Sequence, residues 1–434
     1  MLLTIEKLIY GGDGLARTAP GTDGRSMAVF VPFVLPGEKV EAEIRQGKTG
    51  FARGSVTQLI EMSPDRIEAR CPYFRQCGGC HYQHIAYERQ LEFKAGILRE
   101  TLQRIAKIEL KTDLRLHASP PWNYRNRARL QVQTSPEFAL GYFQFGSHKF
   151  LAVQECPISS PLINRVMARL LEFGGLNCPV AVEEIELFAD AADERLLAWA
   201  FCGPEAEQKD LLRWAEALQH ELPEIAGATF FSTRRRLEDA DALIDAKPLA
   251  QSGAKAIRYQ TKRHEYQVSA GAFFQVNRHL IDELVTVVTG NASGAAALDL
   301  YAGVGLFSVA MAGSFHHIFS VEASQTALGD LLQNVPANVK AAGARTEDYL
   351  RSQPVRNRPE LVVLDPPRTG AGSAVIRSLV ELGAPRVRYV SCDPSTLARD
   401  LAPLLASGYH IEEAHLFDLF PETFHIESVM LLAR

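Results

Sequence analysis

No stretch of about 18 consecutive apolar residues occurs anywhere in the 434-residue chain, so nothing in it reads as a membrane-spanning helix. The opening MLLTIEKLIYGGDG carries acidic Glu6 and turn glycines where a secretory leader needs basic residues and an apolar run, and cytoplasm is the expected compartment. Cysteine is sparse and odd in number, seven in all, which argues against a disulfide framework and leaves metal binding or catalysis to consider. Positive charge is not in excess: the formal balance is −5, so no global basic footprint points to a nucleic-acid partner. Repeats and low-complexity tracts are absent too. What is present is an ordinary globular composition, 47% hydrophobic and 22% charged, in a chain long enough for about two or three domains.

Residues 1–60 alternate short strand-like runs with glycine-rich turns (TIEKLIY, GGDG, MAVFVPFVLPGEKVEAEI), the pattern of a small β-barrel of the oligonucleotide-binding kind or of a capping module without a ligand. Residues 61–262 mix strands such as RARLQVQ and LLAWAFC with helical stretches and read as an α+β central domain. Its early helical segment, at about 85–110, has apolar residues at three and four spacing and is free to pack on the following domain. From 263 to 434 strands and helices alternate, which predicts a doubly wound, Rossmann-like α/β domain with a ligand crevice at the carboxyl ends of its strands. The basic runs Arg125/Arg127/Arg129, Arg234–Arg236 and Lys255/Arg258/Lys262/Arg263 read singly as solvated faces.

Cys71, Cys77 and Cys80 follow the spacing C-x5-C-x2-C, and Cys156 stands far downstream before a proline. Three close thiols plus one remote thiol suit a 4Fe-4S cluster better than the paired C-x2-C arms of a zinc site, and Gly78 and Gly79 let the backbone wrap tightly. Zinc is the competitor, with His81 or His84 replacing one cysteine. Cys178 and Cys202 sit singly in apolar or turn contexts and read as unliganded thiols.

In the α/β region, LDLYAGVGLF closes a strand on Gly303 and Gly305, where backbone can approach a nucleotide-like ligand, although Ser308 replaces the third glycine of a dinucleotide fingerprint. Glu322 ends the next strand and is placed to accept hydrogen bonds from ribose hydroxyls, which serves NAD or S-adenosylmethionine equally. The discriminator is the Asp365-Pro366-Pro367 turn together with the preceding FFQVN, since a dehydrogenase needs neither an Asp-Pro-Pro turn nor a following thiolate. Cys392, in RYVSCDPSTLARDL, lies where a strand ends and a helix begins, so helix-start N–H groups favour a thiolate nucleophile there.

At these residues the chain resembles the RNA uracil-5-methyltransferase family over nearly its whole length. GGDGLAR and VFVPFVLPGEKV resemble a TRAM domain, the small RNA-binding barrel. CPYFRQCGGC with Cys156 resembles the family's 4Fe-4S ligands, and FFQVN, LDLYAGVG, VEAS, LDPPR, SCDPSTLARDL and HIESV follow the catalytic domain in order. The resemblance implies S-adenosylmethionine contacts from Gln275, Tyr301, Glu322 and Asp365, a nucleophilic role for Cys392 and a general-base role for Glu427. Leu306 departs from the polar residue some members carry after the glycine pair, and Glu347 in RTEDYL is a candidate for the adenine side that no motif fixes.

The implied chemistry needs these residue types. Carbon 5 of uracil is a poor nucleophile until a thiolate adds to carbon 6, and after methyl transfer a base must remove the carbon 5 proton. A paired uridine hides its ring, so the base must be flipped out or already exposed, and Trp122 and Tyr124 beside the 125–129 arginines are candidates to grip such RNA. The expected partner is RNA, 23S ribosomal RNA ahead of transfer RNA, bound by a monomer. The rivals are an amino-group methyltransferase of nucleic-acid bases, which would not use Cys392, and a non-enzymatic iron–sulfur RNA-binding sensor, which would not use Glu427.

Overall fold

Alternation is what closes the first five strands. In β1 (Leu2–Leu8), Leu3 and Ile5 point into the barrel while their neighbours face out, and β2 (Asp13–Arg17) and β3 (Ala28–Pro32) repeat the pattern through Gly14, Ala16, Val29 and Val31. With β4 (Lys39–Lys48) and β5 (Phe51–Glu61) they form a closed barrel of order β1-β2-β3-β5-β4, sealed by the β1–β4 pairing. Gly14 is required at this closure, because a Cβ there would lie 2.4 Å from Val34 Cγ2. The computed structural model describes residues 1–20, 26–48, 50–232, 247–352 and 358–434.

The barrel is not an appendage. Leu8 and Leu35 belong to the same hydrophobic core as Leu98 and Leu102 of α1 (Tyr87–Ala106) and as Tyr389 and Leu397 much further on. A bidentate pair, Arg66 Nε and Nη2 to Glu38 at 2.5 and 2.7 Å, ties the barrel to the next segment, with Glu38 fully buried. After α1, β6 (Leu114–His117) leads into the central sheet.

That sheet comprises β7 (Arg127–Gln133), β8 (Ala139–Phe143), β9 (Phe150–Ala152), β10 (Val182–Ala189), β11 (Leu196–Cys202), β12 (Ile225–Ser232) and β13 (Ala250–Gly253), in the order β13-β12-β11-β10-β7-β8-β9. Helices α2 (Pro161–Glu172) and α3 (Gln208–Glu221) cover one face. The run LLAWAFC is continuously apolar because both of its faces are buried. Ala198, Ala200 and Cys202 pack with the helices, while Leu197, Trp199 and Phe201 pack with Leu284, Val304 and Phe307 of the α/β domain.

A hairpin, β14 (Ala256–Gln260) and β15 (Glu265–Ser269), precedes α4 (Ile281–Thr289). There follow β16 (Gly294–Leu300), α5 (Leu306–Met311), β17 (Phe315–Glu322), α6 (Gln325–Asn334), β18 (Val339–Gly343), α7 (Thr346–Ser352), β19 (Leu361–Leu364) and α8 (Gly372–Leu382). The chain ends with β20 (Arg386–Ser391), α9 (Pro394–Ala406), β21 (His410–Phe417) and β22 (Glu427–Ala433). The sheet order is β18-β17-β16-β19-β20-β22-β21-β6, parallel from β18 to β20 and antiparallel at β22. Its outermost strand, β6, comes from the segment read as central, pairing parallel with β21. Among the described residues no helix is long and apolar enough to cross a membrane.

Candidate active site

The parallel strands β16, β17, β19 and β20 all deliver their carboxyl ends to one edge of the sheet, where Tyr301, Glu322, Asp365 and Cys392 follow or close them. Antiparallel β22 brings its amino end to the same edge. Its register pairs Ser391 with Ser428, which sets Glu427, the first residue of β22, against Cys392.

Burial dominates the electrostatics of this group. It pushes the Cys392 thiol up to about 12, charge on Glu427 and Asp365 adds to the effect, and the Arg368 guanidinium opposes it. Glu427 is buried and held well above the carboxylate range, by desolvation first and by Asp365 second, and desolvation raises Asp365 to about 7. Arg368, exposed on the Asp-Pro-Pro turn, is the cation that favours the ionised forms of both Cys392 and Glu427.

The cofactor side is built from the glycine turn. Glu322 accepts the Gly303 N–H at 2.7 Å and the Ser324 N–H at 2.6 Å, locking the loop after β16 to the end of β17. Gly303 has φ 56°, and a Cβ built on it meets nothing within 4 Å, so this backbone faces open space. Behind the turn, buried Asp299 is raised to about 7 by desolvation, with Asp365 and Glu322 contributing, so three strand-end acids share one neighbourhood. An acidic crevice of this kind favours a cationic ligand, and the sulfonium of S-adenosylmethionine meets that requirement. Tyr301 is pushed up to about 12 by burial, with the Glu347 carboxylate adding, which places Glu347 of α7 beside it. Leu306 contributes its backbone carbonyl to Tyr266, whose hydroxyl donates at 3.1 Å. Gln275 is buried on a segment pinned from two sides: Asn126 donates to its carbonyl, and Asn277 donates to Asp418 and Leu419 in the loop leading to β22.

Cys71, Cys77, Cys80 and Cys156 line one cavity of about 230 Å³, walled also by Tyr73 and Tyr142. Backbone contacts hold this loop: Cys77 N–H to Tyr73 O at 2.8 Å, Gly78 N–H to Phe143 O at 3.0 Å, and Gly79 N–H to Cys77 Sγ at 3.4 Å. No three His, Cys, Asp or Glu side chains among the described residues form a group set for a metal ion, so the thiols ring the cavity rather than focus on a point. Neither His81 nor His84 lines the cavity. His81 packs edge-on against Phe424 and His84 lies against Phe74, both outside the cavity lining, which removes them as replacement ligands.

The expected aromatic and arginine grip on RNA is corrected at Tyr124 and Arg127, whereas Trp122, Arg125 and Arg129 stay partly exposed. Tyr124 is fully buried with its hydroxyl on Pro421 O at 3.1 Å, and Arg127 is buried between Phe188 and Trp199, donating to Ala272 O. Arg129 is drawn onto Glu186 at 2.7 Å, and Trp122 stacks under Arg70. Lys255, Arg258, Lys262 and Arg263 are exposed on the β14–β15 hairpin and its flanks, whereas Arg234–Arg236 lie outside the described residues. Sequence reasoning left Arg368 without a role, although its place after Asp-Pro-Pro was visible. It missed Tyr10, for which no local pattern exists.

An open parallel sheet with a glycine turn, an acidic crevice and a strand-end thiol is a methyltransferase fold, and comparisons with known proteins agree. A family model described as tRNA (Uracil-5-)-methyltransferase matches residues 251–346 and 355–434, and a TRAM domain model matches residues 1–57. A protein of Aquifex aeolicus named as an RNA methyltransferase is 32% identical over 438 residues, spanning 99% of this chain and 97% of its own. The 23S rRNA (uracil(1939)-C(5))-methyltransferase RlmD of Halomonas elongata is 32% identical over 442 residues, spanning 99% and 89%. The crystal structure of Pyrococcus abyssi tRNA (uracil-54, C5)-methyltransferase in complex with S-adenosyl-L-homocysteine covers both chains completely with a TM-score of 0.74 at 24% identity, a shared fold. The chain belongs to the RNA uracil-5-methyltransferase family and is an S-adenosylmethionine-dependent enzyme acting on carbon 5 of uridine in RNA.

Proposed function

We propose that this enzyme methylates a uridine of 23S ribosomal RNA through a covalent adduct on Cys392, with Glu427 as general base. The observation that carries this reading is the register that sets Cys392 against Glu427 at the mouth of the crevice. The Cys392 thiolate adds to carbon 6 of the flipped uracil and makes carbon 5 nucleophilic, and Arg368 offsets the cost of the thiolate's charge. S-adenosylmethionine, when bound, would supply the electrophilic methyl group to carbon 5 and leave as S-adenosylhomocysteine. The carboxylate form of Glu427 then takes the carbon 5 proton, the electron pair of that C–H bond forms the carbon 5–carbon 6 double bond as the C6–S bond breaks and the Cys392 thiolate leaves, and Glu427 returns its proton to solvent. Gln275, Tyr301, Glu322 and Asp365 hold the cofactor, and the whole-length similarity to the Halomonas elongata enzyme supports the ribosomal target.

The four-thiol cavity fits a 4Fe-4S cluster held by Cys71, Cys77, Cys80 and Cys156, because thiols spaced around a cavity suit a multinuclear body better than one ion. Its role is to fold the cysteine loop, whose His81 and Tyr82 N–H groups both donate to Glu422 O, at 2.9 and 3.0 Å. Anaerobic protein should be brown with about four iron and four sulfide per chain. Colourless active protein with stoichiometric zinc would overturn the cluster.

The functional test is nucleoside mass spectrometry of 23S and transfer RNA from cells lacking the enzyme, each treated with enzyme and S-adenosylmethionine. The expected product is 5-methyluridine in the ribosomal RNA. A methylated amino group, or methylation confined to transfer RNA, would overturn the reading.

A further inference from the structure

The first turn of the barrel reaches into the active site. Between β1 and β2 the chain reverses through residues 9–12, and the half-buried Tyr10 donates its hydroxyl to the backbone carbonyl of Cys392 at 3.2 Å, across 382 positions of sequence. Its ring stands edge-on to Phe424 at 5.7 Å and 87°, three residues before Glu427. Two positions on, Gly12 has φ 91° and lies so close over His81 that a Cβ would come within 3.1 Å of the imidazole. One turn therefore contacts the nucleophile loop, the loop leading to the base, and the residue after Cys80.

The contact to Cys392 falls where the nucleophile loop lacks a support of its own. Asp393 is held largely by local groups: its N–H donates to Ser391 Oγ at 3.3 Å, and its carboxylate caps α9 through Ser395 and Thr396 N–H at 2.8 and 2.9 Å while also lying within reach of the Tyr10 hydroxyl. The Cys392 carbonyl is held from outside, by the phenol of the barrel. Fixing that carbonyl fixes the peptide plane after Cys392, and with it the direction from which the thiol approaches carbon 6. Attack geometry is sensitive to such placement.

We propose that Tyr10 is a positioning residue for Cys392, which makes the barrel an integral part of the catalytic centre as well as a module beside it. The proposal rests on the reading of Cys392 as nucleophile. It requires the barrel to be docked before the thiol is correctly aimed.

Tyr10→Phe keeps the ring on Phe424 and removes only the donor. With full-length enzyme and saturating RNA and S-adenosylmethionine, single-turnover formation of the protein–RNA adduct should slow about three- to tenfold, the loss expected of one hydrogen bond. RNA affinity, cofactor affinity and thermal midpoint should stay at wild-type values. Labelling of Cys392 by iodoacetamide in RNA-free enzyme, followed by peptide mass spectrometry, should also change in rate. Wild-type adduct formation and labelling in Tyr10→Phe overturn the proposal, as does weakened RNA binding with an unchanged rate at saturation. Cys392→Ala run in parallel separates the two readings: methyl transfer by that variant overturns the nucleophile itself, whereas an inactive Cys392→Ala with a normal Tyr10→Phe overturns Tyr10 alone.

Discussion

Cys392 and Glu427 are neighbours at the end of two antiparallel strands: Ser391 of β20 is paired with Ser428 of β22, Cys392 follows the one and Glu427 precedes the other, and the charge of Glu427 is felt at the thiol. In the proposed mechanism one group acts before methyl transfer and the other after it, so removing each should stop the reaction at a different point.

Cys392→Ala should form neither a covalent RNA complex nor 5-methyluridine, because carbon 5 is never activated. Glu427→Gln should still add to carbon 6 and accept the methyl group, then accumulate a methylated protein–RNA adduct stable to denaturing electrophoresis. Normal turnover by Glu427→Gln, or activity in Cys392→Ala, would remove these assignments.

The Cys392 thiol, raised to about 12 by burial and then by its acidic neighbours, is neutral below that value, so its thiolate fraction grows with pH throughout the accessible range. Iodoacetamide labelling of Cys392 in RNA-free enzyme should therefore keep rising past about pH 8.5, where an ordinary thiol begins to level off. Arg368→Met should lower labelling at every pH, since the guanidinium favours the thiolate. A plateau near the ordinary thiol value would contradict the burial argument.

Glu322 spends one lone pair of each oxygen on the Gly303 and Ser324 N–H groups, leaving others for ribose hydroxyls. Glu322→Ala should weaken S-adenosylmethionine binding by about 1.5–3 kcal/mol, the range for hydrogen bonds to a charged group, read by calorimetry. Unchanged affinity would take Glu322 out of the pocket.

Lys94 of α1 and Asp418 form an ion pair at 2.6 Å with both side chains fully buried, and Lys94 also donates to Phe420 O at 3.0 Å. Lys94→Met leaves Asp418 buried without its partner and should cost about 3–5 kcal/mol in urea denaturation. A loss below about 1 kcal/mol, the scale of an exposed pair, would show that the pair is solvated.

What the residue order determined by itself was local. The strand runs LDL, SVE, LVVL and RYVS each close where glycine, serine, proline or cysteine-aspartate follows, because apolar β-prone residues and turn formers compete within a few positions. The same holds for the five barrel strands, whose period-two alternation needs no distant partner to be read. Tertiary structure decided which side chains meet. Gln90 and Lys94 lie on the buried stripe of α1 only because Glu422 and Asp418 wait there, a pairing more than 320 positions long that periodicity hides. Tyr124 and Arg127 look like an RNA grip in sequence but are core: the faces of β7 are assigned by the strands packed around it, and Tyr124, just before β7, is anchored on Pro421 O. Glu427 becomes the neighbour of Cys392 through strand pairing, and Tyr10 through barrel docking. Contacts of this range are selected by the packing of whole elements, and no local rule of spacing encodes them.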